Sequence, residues 1–337
     1  MIKRLFILVV ILLIVIGGLF WVLNSPLVTQ TIVETLLKKH LQGYTLDGFF
    51  VGHQKFNYPD RIVFSNVRMH LKSKEDFYTI ASREMTATGL SGLFNSPAVV
   101  HVHADQLSVE SSQIKSVPGD LQADLYFKGP IFDHFDGKAV VDGVHAYNYQ
   151  LEHVSAHLNG SAKHMMVSDV RADTYRGKIS GQILLDWQKN LPYSIEVHFQ
   201  DLDLRQMKDV NPSLYGQVEG VIDGSITVNG NTKNFSALNV QAKVTKDGRV
   251  NASLLKFVTP YIPQTTETVQ LGEIIKAGGK VPVQVAAMEL RSIDEHKLSG
   301  FVKLLIGQLN LDLNLPIDIL YDGNLISLIQ WYQNLVK

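Results

Sequence analysis

Leu309-Asn310-Leu311-Asp312-Leu313-Asn314-Leu315-Pro316-Ile317-Asp318-Ile319-Leu320-Tyr321 alternates almost without a break. Every odd position is apolar or aromatic, and the even positions are Asn or Asp apart from Pro316 and Leu320. A period of two is the signature of a strand whose side chains leave alternately by two faces, one buried and one wet. At ~3.3 Å per residue such a strand spans about 43 Å, roughly twice the usual length.

The same period recurs through the chain. Ile179, Gly181, Ile183 and Leu185 alternate with polar neighbours, and Leu238, Val240, Ala242 and Val244 lie opposite Asn239, Gln241 and Lys243. Near Asp201-Leu202-Asp203-Leu204 the parity slips relative to Tyr193, Ile195, Val197 and Phe199, which predicts a bulge or corner. Asp47-Gly48, Asp136-Gly137, Asp142-Gly143, Asn159-Gly160, Asn229-Gly230, Asp247-Gly248 and Asp322-Gly323 are dipeptides favoured in tight hairpin turns. Together these features predict a mainly β fold, a long curved antiparallel sheet. Gly216, Gly220, Gly224 and Gly230 share parity with Val218, Ile222, Ile226 and Val228, so they mark bends or close approaches on the apolar side.

Helical period is confined to a few places. Leu5 to Leu23 is an uncharged, almost wholly apolar run of nineteen residues, which as a helix at ~1.5 Å per residue covers about 28 Å, the thickness of a bilayer core. It exceeds the apolar region of a cleaved signal peptide, and no small-x-small site follows it, so residues 1–24 read as an uncleaved anchor. Lys3 and Arg4 place the N-terminus in the cytoplasm and the remaining chain across the membrane. Ser25-Pro26 then opens an amphipathic helix through Val28, Ile32 and Leu36 to Gly43. Its stripe suits either a membrane surface or, as is commoner for short segments, the end of a core. Short helical signals return at Gly89–Asn95, Leu254–Tyr261 and Leu271–Ala277, and Asn324–Val336 reads as a closing amphipathic helix. With no linker or charge block, residues 44–255 read as the main β region, and 256–337 as strands and helices completing it.

Composition narrows the function. Lys and Arg total 31 against 32 Asp and Glu, so there is no basic field to hold nucleic acid. The absence of cysteine removes disulfides, thiolate metal sites and cysteine nucleophiles. His101-Val102-His103-Ala104-Asp105 resembles the start of the metal motif of metallo-β-lactamase-like hydrolases, but Gln106 stands where histidine is required. His153 and His157 have a spacing that serves a metal on a helix, whereas on a strand they lie ~13 Å apart. No nucleophile elbow, phosphate loop, dinucleotide fingerprint or H-E-x-x-H motif occurs. The expectation is a protein without catalytic residues, metal or cofactor.

A signal-anchor ending in Leu23-Asn24-Ser25-Pro26, a helix through Ile32, Leu36 and Leu37, and a strand containing Phe64-Ser65-Asn66-Val67-Arg68-Met69 come in an order that resembles AsmA-like bacterial envelope proteins. Asp173 to Gln182, Leu202-Asp203-Leu204 and Gly216 to Gly224 resemble the repeating region of that family. The resemblance implies a Gram-negative inner-membrane protein with a periplasmic β-groove of the bridge-like lipid-transfer kind. This chain is shorter than the larger members: about fifteen strands at ~4.8 Å make roughly 70 Å of sheet. A short conduit or lipid-holding module fits that length better than a bridge across the periplasm.

The expected partners are therefore phospholipid acyl chains, the inner membrane and envelope proteins. The expected lining is Ile179, Ile183, Leu185, Val218, Ile222, Ile226, Val228, Val240, Val244, Leu309, Leu311, Leu313, Leu315, Ile317 and Ile319. Two other readings stand beside it. The same face packs dry against protein, as in a β-sandwich, or the chain is a non-enzymatic scaffold for outer-membrane biogenesis working through strand edges.

Overall fold

The structure is a computed structural model. It describes residues 45–320, apart from 58–59, 73–76, 95–96, 113, 129–130, 147–148, 162, 187–191, 208–215, 232–234, 256–264, 295 and 308–310. The anchor, the helix over 25–43, Asp322-Gly323 and the closing helix lie outside the described residues, as do Leu309 and Tyr321. Among the described residues no helix is long and apolar enough to cross a membrane.

The chain divides into two compact units at Val170/Arg171. The boundary expected at 255/256 falls inside the second. Unit 1 carries β1 (Thr45–Asn57), β2 (Arg61–Lys72), β3 (Phe77–Thr88), β4 (Ala98–Ser111), β5 (Ile114–Ser116), β6 (Gly119–Lys128), β7 (Ile131–Ala146) and β8 (Tyr149–Ser161), and β9 (His164–Thr174) spans the boundary. The pairing runs antiparallel through β1, β2, β3, β4, β6, β7 and β8, and the short β5 joins β4 and β7. A 3-10 turn at Leu90–Phe94 occupies the site of the helical signal read from Gly89. One face is a continuous core: Ile62, Ala87, Val102 and Ala123 form one cross-strand row, and Phe64, Met85, Ala104 and Leu121 the next. All eight are at most 4% exposed. Alternating apolar residues on neighbouring strands fall in register and exclude water together.

Unit 2 carries β10 (Gly177–Asp186), β11 (Tyr193–Asp203), β12 (Val218–Gly230), β13 (Phe235–Asn251), β14 (Lys280–Pro282), β15 (Val285–Asp294), β16 (Lys297–Ile306) and β17 (Leu311–Leu320). Each strand from β10 to β13 pairs antiparallel with the next; β13 then pairs with β14 and β15, β15 with β16, and β16 with β17. Between β13 and β14 come a helical turn, α1 (Ala252–Leu255), and a twelve-residue helix, α2 (Thr266–Ala277). Gly278 follows α2 at φ 72°, and its N–H donates to Ile274 O at 3.0 Å, ending the helix as glycine at such a position does.

The Asx-Gly dipeptides are corrected in part. Asp136-Gly137 and Asp142-Gly143 lie within β7, Asp47-Gly48 within β1, and Asp247-Gly248 within β13, with Asp247 at φ 52°. Asx and Gly suit any position that needs positive φ, and a bulge needs one as much as a hairpin does. The pairing of β7 with β8 skips Asp142 and His153, and His153 is left-handed at φ 49°. The slip read at Asp201 is a bulge: the β11–β12 register shifts between Phe199 and Leu202, with Asp201 at φ 54°. The Asp201 N–H donates to Asp223 Oδ1 at 2.7 Å and Lys246 Nζ donates to Asp201 Oδ1 at 3.0 Å, which fixes the bulge across three strands.

Candidate functional site

The alternation that opens on Leu311 is realised residue by residue. In β17, Leu313 and Ile319 are buried, Leu315 and Ile317 half-buried, and Asp312, Asn314, Pro316, Asp318 and Leu320 exposed. Register carries that face across unit 2. Ile183, Ile195, Val228 and Leu238 form one row, continued by Leu298 and Ile319. The next runs Gly181, Val197, Ile226, Val240, Leu290, Gly300 and Ile317, and a third runs Ile179, Phe199, Gly224, Ala242, Met288, Val302 and Leu315. These rows cross seven strands, about 29 Å at ~4.8 Å per step.

Both ends of the face are packed. One end joins Leu255 and Leu271 of α1 and α2, each 1% exposed, to Val281, Leu304, Ile306 and Leu313. The other joins Val228, Leu238, Leu298 and Ile319. Between them Ile179, Ile183, Val197, Phe199, Ile226, Val240, Met288, Leu290, Val302, Leu315 and Ile317 are only half-buried. Their rows lack bulk at Gly181, Gly224 and Gly300. At Gly224 a Cβ would collide with the Phe199 ring and the Gln241 carbonyl, so glycine is required where these strands approach.

No charged residue enters these rows. Ser292, which continues the first of them between Leu238 and Leu298, has its hydroxyl oxygen accepting from the Leu238 N–H at 2.8 Å, so its polarity is spent on the backbone. Tyr193, at the β11 end of the face, has its phenol pushed above the ordinary tyrosine range by burial. Charge collects on the opposite face. There Gln182 and His198 bond the Glu196 carboxylate at 2.7 and 2.8 Å and hold it below the usual range. Lys297 lies 2.9 Å from Asp318, and that hydrogen bond is the main cause holding the Asp318 carboxyl low.

The expected lining residues lie on this one face, with two exceptions to what can be placed. Leu309 is outside the described residues, and Leu311 is placed only by its pairing with Ile306. Val218 pairs with Val250 beyond the Gly220 bulge, and Ile222 pairs with Val244. Val197, Phe199, Ala242, Met288, Leu290 and Val302 belong to the face but not to the expected set. Met288 and Leu290 alternate legibly with Glu289 and Arg291. Val302 is harder to read because Phe301 and Leu305 make β16 apolar on both sides.

His101 and His157 of unit 1 each meet a single carboxylate. His101 Nδ1 lies 2.7 Å from Asp124, Asp105 pairs with Arg83, and His157 Nε2 lies 3.1 Å from Asp136. Among the described residues no three His, Asp or Glu side chains gather in a way that could hold a metal ion. Comparison of the chain with family models, curated proteins and solved structures finds no match.

Proposed function

We propose that the chain is a lipid-binding module anchored in the inner membrane, whose apolar face shelters phospholipid acyl chains in the manner of AsmA-like groove proteins and contributes to lipid transport between membranes. The observation that carries this reading is the half-buried centre of the unit 2 face: an uncharged apolar surface seven strands wide, packed at both ends and incompletely covered between. Each methylene moved there from water contributes about 0.8 kcal/mol, spread over many weak contacts. Such contacts hold a chain and still let it slide, because no single pocket fixes it. Curvature of the sheet into a groove, the periplasmic position of the β region and the anchor at Leu5–Leu23 belong to the same proposal.

Val197 and Glu196 are neighbours on opposite faces of β11, and they supply the test. A photo-crosslinking amino acid placed at 197 in the full chain, irradiated in native membranes, yields a phospholipid adduct by mass spectrometry, and the same group at 196 yields far less. Equal adducts at the two positions, or none at 197, would overturn the reading.

A further inference from the structure

A concavity lies in unit 1, on the polar side of β1 to β4. It is a crevice of about 390 Å³ whose walls include Phe50, Asn66, Arg68, Arg83 and Gln106. Two gaps in the strand pairing shape it. The β2–β3 register passes from Ser65/Glu84 to Val67/Ser82, leaving Asn66 opposite Arg83, and the β3–β4 register is interrupted between Ala81/Ser108 and Glu84/Asp105. Asn66 and Gln106 are both left-handed, at φ 54° and 50°, on the strands flanking β3. Gly52 on β1 gives Asn66 room, since a Cβ there would come within 3.1 Å of the Asn66 Cβ.

The chemistry of the walls is specific. Arg68 has no ion-pair partner among the described residues, and its cross-strand neighbour on β1 is Phe50, a residue 61% exposed on the face opposite the core. Arg83 is 62% exposed and held on one side by Asp105. Two guanidinium groups, two carboxamides and an aromatic rim form one small concavity. Guanidinium groups offer forked donors that match phosphate oxygens, the amides add neutral donors, and an exposed ring covers the apolar part of a small ligand.

We propose that this crevice binds a phosphate group carried on a headgroup-sized molecule, held between Arg68 and Arg83. The site stands independently of the apolar face of unit 2. Asp105 competes with the ligand for Arg83, so it sets the affinity without contributing to it.

The test uses the full chain in neutral detergent micelles. Glycerol 3-phosphate is titrated by calorimetry in one arm, and phosphatidylglycerol against phosphatidylcholine in mixed micelles in the other. Saturable binding in either arm, weakened about tenfold by Arg68→Ala and further by added salt, supports the site. Binding in the first arm identifies a free phosphate ester, and binding of phosphatidylglycerol alone identifies a lipid headgroup. Asp105→Asn tightens binding, whereas a purely structural Arg83–Asp105 pair would give loss or no change. Arg68 is exposed, so Arg68→Ala melts with the native chain. No saturable binding in either arm, or binding indifferent to Arg68→Ala, overturns the proposal.

Discussion

Asp203 ends β11 with its side chain 5% exposed, and its carboxylate is satisfied almost entirely by one neighbour. Oδ1 accepts from the Arg205 backbone N–H at 3.0 Å and from its Nε at 2.8 Å, and Oδ2 accepts from Nη2 at 3.0 Å. The same contacts cap the 3-10 turn at Leu204–Gln206. Bonding from the Arg205 side chain is the main cause holding the Asp203 carboxyl below the ordinary aspartate range, and burial works against it. A carboxyl whose folded value is depressed stabilises the fold above its unfolded value, about 4, and loses that contribution as pH falls through the folded value. Asp203→Asn therefore lowers the stability of unit 2 by about 1–3 kcal/mol at neutral pH. The gap between variant and native chain closes in acid. Melting curves from pH 7 to pH 2.5 (about the acid limit of such a titration) check this, and a gap constant across that range would remove Arg205 as the cause.

At the scale of elements, what was legible in the sequence depended on whether a local pattern had one physical cause. Leu313, Asn314, Leu315 and Pro316 are readable because a half-buried strand has only one way to alternate. Ile179–Leu185 and Leu238–Val244 follow for the same reason. Asx-Gly was misleading at Asp247-Gly248 because turns and bulges demand the same left-handed backbone. The two residues between β9 and β10 show the converse: Tyr175 and Arg176 take φ 45° and 62° without glycine or asparagine, so nothing in their chemistry announced the turn. The helix α2 was legible at Leu271–Ala277, but not its earlier start at Thr266. Its role was not legible at all, since burial of Leu271 comes from Leu255, Val281 and Ile306, distant in sequence. Leu271→Ala leaves a cavity in that cluster and costs about 2–5 kcal/mol. Chemical denaturation checks the value. A loss below about 0.5 kcal/mol would mean that α2 does not close this end of the face.

Across the molecule, the two units bury their apolar faces to different degrees, and this sets an order of stability. In unit 1 Ile62, Met69, Val100 and Leu125 are 0–1% exposed, whereas the middle rows of unit 2 are only partly buried. Apolar area left in water forfeits about 25 cal/mol per Å², so β10 to β12 open more readily than β2 to β6. A ligand that binds the folded face raises the protection of that unit by mass action. Hydrogen exchange read by mass spectrometry on the full chain should show slow amides in β2–β6 and faster ones at the centres of β10–β12. Adding phospholipid to neutral detergent micelles should slow exchange in β10–β17 and leave β2–β6 unchanged. Replacing Val197 with glutamate should abolish that protection at modest cost, because its side chain can still reach water. Leu313→Glu should instead unfold unit 2, because residue 313 is 7% exposed and packed in the cluster with α2, and a charge buried there without a partner is not tolerated. If Val197→Glu and Leu313→Glu unfold the unit equally, the face is a dry core throughout, and the half-buried rows carry no ligand.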